Sequence, residues 1–277
     1  MLSWDNMTNF ICVTCGTEFS AATKPPSNCP VCEDERQFVD WEGQRWTTLE
    51  ELRKDHSNRL EFEALGLLGI GTEPSFAIGQ RALLVQSPSG NVLWDCVSLI
   101  DEPTIAKINH LGGIRAIAIS HPHFYSGMFG WSRAFDNAPI YLHPADREWV
   151  TRNDGNIRFW EGTTCPLWDD MTLINCGGHF DGSTVLHWPA GANHDGALLT
   201  GDTIQVVMDR RSVSFMRSYP NLIPLSATAV SQIVTRLEPF RFDQIYGGWW
   251  KRNVSANGKR VIKSSAERYL RAISSTS

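Results

Sequence analysis

The sequence lacks any run of about 18 apolar residues, the length a membrane-crossing helix needs. Residues 1–10 carry Asp5 and neither a basic patch nor an apolar stretch, so no secretory signal is expected there. Positive charge is scarce: 25 Lys and Arg face 30 Asp and Glu, for a net charge of -5. That balance disfavours general affinity for nucleic acid or anionic membrane, although a local basic pocket is compatible with it. The expected partner is therefore a small-molecule substrate, with no nucleic acid and no membrane; the oligomeric state is left open. No fixed-period repeat and no low-complexity tract is visible. Charged residues are 20 % and hydrophobic residues 42 %, which excludes collagen, coiled coil and disorder.

What the chain has is length and cysteine. Its 277 residues suffice for one large domain with a small appendage. Seven cysteines is an odd number, and four stand in two C-x-x-C pairs, which points to metal rather than disulfides and to a reducing, cytoplasmic compartment. The composition changes near residue 40. We expect a zinc-ribbon segment over 1–40 and the main domain over 41–277.

Cys12-Val13-Thr14-Cys15 and Cys29-Pro30-Val31-Cys32 can each wrap one side of a tetrahedral ion with two thiolates. The alternative is two local disulfides or free thiols. The stretch is too short to bury a core and needs a staple. Gly16 stands where a knuckle turn often needs positive φ. The spacing resembles zinc ribbons and rubredoxin-like knuckles. Zinc is favoured over iron, and a closed four-thiolate site implies a structural role. Loss of one cysteine is expected to release this ion and to leave a second centre intact. Cys96, Cys165 and Cys176 read as small apolar residues.

From residue 41 the pattern is α and β. Thr48-Leu49-Glu50-Glu51 has capping-box spacing and opens a short helix. Residues 82–86 and 91–96 read as a hairpin, 104–111 as a helix, and 114–119 as an apolar strand. Further strands are expected near 140–142, 172–175, 184–188, 197–200, 205–208, 213–216 and 243–246. Helices are expected over 144–150 and 227–237, and Ser264-Ser265-Ala266-Glu267 reads as the cap of the last helix. Strands in runs, in two halves, suggest two mixed sheets packed together with helices outside.

Chemistry-bearing residues gather at strand ends. Ser120-His121-Pro122-His123-Phe124-Tyr125-Ser126-Gly127 follows the strand over 114–119. Gly177-Gly178-His179 lies between later strands, and Thr200-Gly201-Asp202 puts a carboxylate at another strand end. One histidine is usually a core or surface residue; three with an Asp, all beside glycine, suggest ligands.

The order strand, HxH, GGH, TGD resembles the metallo-β-lactamase-fold hydrolase superfamily, which includes glyoxalase II, over roughly residue 64 to the C-terminus. The resemblance implies an α+β architecture, an αββα sandwich with its metals at one edge of the two sheets. His121 and His123 match the first two ligands of the family's HxHxDH motif, His179 the next histidine, and Asp202 the Asp that bridges two metals. Asp95 matches a supporting acidic residue. The chain also departs from the pattern. Tyr125 and Ser126 replace the Asp and His that serve the second metal, and 245–250 offers no late histidine. The expectation is therefore one ion held by His121, His123, His179 and Asp202.

Three imidazoles and a carboxylate suit zinc, and also iron or manganese. A zinc ion of this kind activates a water and polarises a carbonyl. Asp202 reads as ligand or general base, and Tyr125 as a catalytic phenol able to stabilise an oxyanion. Tyr219, Trp249 and Arg217 are the expected substrate-binding residues. The function so implied is hydrolysis of an ester, thioester, lactone or amide. An iron-dependent oxygenase on the same fold and a non-catalytic binding protein are the alternatives.

Overall fold

A computed structural model describes residues 7–152 and 155–274. Seven strands form one sheet in chain order: Ser57–Ala64, Leu67–Glu73, Arg81–Val85, Val92–Trp94, Ala116–Ala118, Ile140–Leu142 and Ile157–Phe159. The first four run antiparallel, as hairpin connections dictate. From Val92–Trp94 onward the neighbours are parallel. The crossover helix Glu102–His110 makes the first parallel step possible. Its N-cap is Asp101, whose side chain accepts from the Thr104 N–H.

The second sheet has six strands, in the order Thr164–Pro166, Thr172–Asn175, Thr184–Trp188, Ala197–Gly201, Gln244–Gly247 and Asn253–Val254. Its one parallel pair joins Ala197–Gly201 to Gln244–Gly247, bridged in the chain by the helix Ala227–Leu237.

Three apolar layers explain the stacking. Between the sheets lie Leu83, Val92 and Trp94 from the first and Leu173, Leu186 and Leu199 from the second. Outside the first sheet, Ile108, Phe129 and Trp131 cover Leu84, Leu93 and Ile117. Outside the second, Val230, Ile233, Leu237 and Ile262 cover Val185, Leu198 and Ile245. Each fully buried aliphatic or aromatic side chain contributes about 1.5–3 kcal/mol, so both faces of both sheets stabilise the layers. The result is the expected αββα sandwich. No helix among the described residues is long and apolar enough to cross a membrane.

Local expectations held where side-chain chemistry is short-range. Thr48 caps the helix Leu49–Asp55 by accepting from the Glu51 N–H. The final helix differs from expectation. It spans Gly258–Ser274, so Ser264–Glu267 is interior rather than a cap. Ser265 is buried and its Oγ accepts from the Val213 N–H at 3.0 Å. The apolar face that carries Ile262 and Ala266 runs through the serines, and burial of that face decides where the helix lies.

The cysteine segment is built on a two-stranded pairing of Ile11–Cys12 with Trp46–Thr47 and the single-turn helix Pro30–Glu33. Its hydrogen bonding thus reaches past residue 40. Gly16 has φ +80, as the knuckle turn requires.

Candidate metal centres

The four cysteines converge at one point. Cys12 Sγ is 3.5 Å from Cys32 Sγ, and Cys15 Sγ is 3.6 Å from Cys29 Sγ. A disulfide needs about 2.05 Å. Four thiolates about 2.3 Å from a zinc ion would stand about 3.8 Å apart at tetrahedral corners, so the spacing suits an ion. Hydrogen bonds from Cys15, Cys29 and Cys32 hold the Cys12 thiol far below its ordinary range, whereas burial pushes Cys15 up. The amide of Gln44 donates to Cys12 Sγ at 3.1 Å. Cys96 and Cys176 are buried away from this cluster, and Cys165 is half-buried.

The second cluster brings together His121, His123, His179 and Asp202, each offering one ligand atom, all within 4.8 Å of one another. His121 begins the turn Pro122–Phe124 just beyond the strand Ala116–Ala118. Asp202 follows Ala197–Gly201 in the other sheet, after a register shift between Leu199 and Gly201. That bulge re-aims the carboxylate into the site. Gly201 has φ +54, and a Cβ there would lie 2.5 Å from Ser120 Oγ. The glycine of the TGD motif is therefore required both by backbone and by space.

The donor atoms face each other. His121 Nε2 is 2.8 Å and His179 Nε2 3.6 Å from Asp202 Oδ1, and His179 Nε2 is 3.3 Å from His123 Nδ1. Ligands about 2.0–2.1 Å from a zinc ion would be about 3.4 Å apart. The Nδ1–H of His179 donates to the Met216 carbonyl at 3.0 Å, and Ser120 Oγ bonds His121 Nδ1 at 2.9 Å, which turns both Nε2 atoms inward. Burial, aided by the nearby Arg36 guanidinium, pushes His121 down to about 3. Burial likewise pushes His179 to about 4 and His123 well below its ordinary value. All three rings are thus neutral at pH 7, with lone pairs free to ligate. His121 Nε2 and Asp202 Oδ1, both in the donor set, are buried without a hydrogen-bond partner. Orphaned buried polar atoms are costly, and a cation removes that cost. The donor set fits a divalent ion.

Asp95 supports this centre as expected: its Oδ1 accepts from the Ser120 N–H at 2.7 Å. Burial raises its carboxyl to about 8. His187 and His143 lie outside the cluster, bonded to the carbonyls of Arg241 and Gly162.

A cleft of about 260 Å³ opens on His123, His179 and Asp202. Tyr219 and Trp249 line it. The Tyr219 hydroxyl donates to the Asp202 carbonyl at 2.9 Å, and the Trp249 indole donates to the Ile78 carbonyl at 2.9 Å. Two expected residues stand elsewhere. Arg217 is held by Glu35 in an ion pair and is not part of the lining. Tyr125, read as a catalytic phenol, is buried among core residues such as Met128 and Phe129 and does not line the cleft. The turn that follows His123 carries its ring into the outer apolar layer. A phenol with no substrate to donate to cannot act as an oxyanion donor, so Tyr125→Phe is expected to change turnover by less than about tenfold. Steady-state kinetics on any accepted substrate checks this.

Sequence reasoning missed one wall of the cleft. Thr14, Arg36, Gln37 and Phe38, all from the cysteine segment, line it. The segment is docked, not appended. Ser98 Oγ donates to the Gly16 carbonyl at 3.2 Å, and Thr151 Oγ1 to the Glu18 carbonyl at 2.6 Å. The Arg36 guanidinium lies 3.8 Å over the Phe180 ring, next to His179. Asn221 Nδ2 donates to the carbonyls of Glu35 and Gln37, both at 2.9 Å. No spacing signal announces residues 34–38, because their partners are far away in the chain.

Comparison with known proteins places these features. No family model matches the chain. It is 48 % identical over 271 residues to the uncharacterized protein YmaE of Bacillus subtilis (strain 168), covering 97 % of this chain and 98 % of that one. Among solved structures it is similar to the metallo-β-lactamase FIM-1 from Pseudomonas aeruginosa in its mono-zinc form, with a TM-score of 0.56 at 16 % identity, covering 81 % of this chain and 100 % of that one. It is likewise similar to the DIM-1 metallo-β-lactamase, with a TM-score of 0.56 at 14 % identity, covering 76 % and 98 %. At these identities the likeness establishes the fold, and the fold is that of the metallo-β-lactamases.

Proposed function

The chain belongs to one family with YmaE and has the metallo-β-lactamase fold, and on that footing we propose that it is a metal-dependent hydrolase acting on an ester, thioester, lactone or amide. The observation that carries the reading is the four-donor cluster of His121, His123, His179 and Asp202, buried yet open to a cleft. A single ion is part of the proposal. Tyr125 and Ser126 offer no second set of ligands, and the strand Gln244–Gly247 is followed by Gly248 rather than a histidine. The solved relative FIM-1 in its mono-zinc form is a precedent for one ion on this fold.

When bound, the ion acidifies a water and polarises a carbonyl oxygen. The chain's own residues do the rest. Ser120 and the Met216 carbonyl hold the imidazoles in orientation. Asp202 contributes its Oδ1 to the donor set and is positioned to take a proton from an attacking water. Trp249, Tyr219 and Ile78 supply apolar and aromatic lining to the cleft. The four-thiolate centre is closed and structural in this reading.

Two measurements test the proposal together. Metal analysis is expected to find two ions per chain, one per cluster. Assayed on a panel of esters, thioesters, lactones and amides, metal-loaded protein is expected to turn over at least one class. His121→Ala is expected to lose one ion and more than about a thousandfold of that activity. Protein that carries both ions yet hydrolyses no class would overturn the reading.

A further inference from the structure

Resting on the hydrolase reading above, we infer that the part of the substrate lying against residues 36–38, beyond the ion itself, is uncharged, and that this stretch of the cysteine segment selects for it. The cleft has one cation in its lining, Arg36, and that cation is already used. Its Nε and Nη2 grip the two oxygens of Asp34 at 2.6 and 2.9 Å, and its flat face covers Phe180. A guanidinium recognises a carboxylate or phosphate through a free two-pronged edge; here Asp34 occupies the Nε/Nη2 edge, and Nη1 donates to the His179 carbonyl at 3.5 Å. Arg217, the neighbouring cation, is tied to Glu35. An anionic group seated against this wall would have to displace Asp34 from Arg36. Breaking that largely buried ion pair costs free energy.

The remaining surface is neutral. Thr14, Gln37 and Gln205 offer hydrogen bonds without charge, and Phe38, Ile78 and Trp249 offer apolar area. Gln37 is 5 % exposed and lines the cleft. Residues 36–38 are fixed from two sides. The Asn221 amide ties the Glu35 and Gln37 carbonyls to the loop that carries Tyr219, and Arg36 is stacked on Phe180. The cysteine segment thus places Phe38 in the same lining as Trp249.

The test uses zinc-loaded full-length protein and two hydroxamic acids, which bind a zinc centre whether or not the protein hydrolyses anything. One is hexanohydroxamic acid. The other is the monohydroxamate of adipic acid, of equal chain length and ending in a carboxylate. Calorimetric titration is expected to give at least about tenfold tighter binding of the neutral probe. Phe38→Ala removes the apolar wall, and Asn221→Ala removes the tie without touching a cysteine. Each is expected to shrink the preference to less than about threefold while zinc content is unchanged. Equal or tighter binding of the carboxylate probe overturns the inference, as does a preference that survives both substitutions. Binding of neither probe overturns it too, by removing the cleft from the path of a ligand. The hydrolase reading fails separately, on the ester and lactone panel.

Discussion

Asp202→Asn is expected to lower turnover by more than about a hundredfold and to weaken the ion at the histidine centre in the same protein. The substitution keeps shape and removes charge. Asp202 Oδ1 stands 2.8 Å from His121 Nε2, inside the set of donor atoms rather than behind it. An amide oxygen is a poorer ligand than a carboxylate and cannot take up a proton at neutral pH. The fold should be undisturbed, because the contact from Tyr219 is made to the Asp202 backbone carbonyl. Kinetics paired with metal analysis reads both effects at once. A variant that keeps its ion at full affinity but loses turnover makes Asp202 a base rather than a ligand. Unchanged turnover removes it from the chemistry.

Cys29→Ser is expected to release the thiolate-bound ion and to lower the melting temperature sharply. Structural zinc supplies on the order of 10 kcal/mol of folding free energy to small cysteine-rich units. The sequence alone implies that the histidine centre would not notice. The structure changes that expectation. Arg36 covers Phe180 next to His179, and Asn221 is bonded to the segment that leaves the four-cysteine cluster. When the unit loosens, the backbone around His179 loses that cover. The second ion should then bind roughly tenfold more weakly, the scale of losing a support behind a ligand. Metal titration of the variant checks this, and an unaltered second site would show the two centres to be independent.

Much of the centre was legible in the sequence because its signals are local. C-x-x-C pairs, H-x-H after an apolar strand, and T-G-D at a strand end each encode several ligands or constraints within a few residues. Gly201 is a case in point: the motif requires glycine because Ser120 Oγ occupies the space a Cβ would take. Tyr219 and Trp249, two of the aromatic residues expected near the site, line its cleft. What escaped was long-range. Arg217 is a free cation on paper, yet Glu35, which neutralises it, stands 182 residues earlier. Residues 34–38 carry no periodicity, and their role depends on partners up to 186 residues away. The hairpin of Ser57–Ala64 and Leu67–Glu73 was not foreseen. Gly69 and Gly71 weaken its strand signal, and both are there because the Trp250 ring lies against them: a Cβ at either would come within 2.7 Å of it. The helix Met128–Ala134 has only seven residues, too few for a periodic signature.

The docked cysteine unit also sets an order of assembly. Its outermost ligands, Cys12 and Cys32, are only 20 positions apart, so a nascent chain can close the first centre as soon as that stretch is free to fold. The surfaces that receive it are made far later. Ser98 follows Gly16 by 82 residues, His179 follows Arg36 by 143, and Asn221 follows Glu35 by 186. The second centre itself needs Asp202, and its cleft needs Tyr219 and Trp249. During synthesis there is thus a long interval in which the cysteine unit exists with no surface to rest on. For that interval the four-cysteine unit, with its pairing to Trp46–Thr47, is what holds residues 34–38, and one wall is prepared before there is a cleft to enclose.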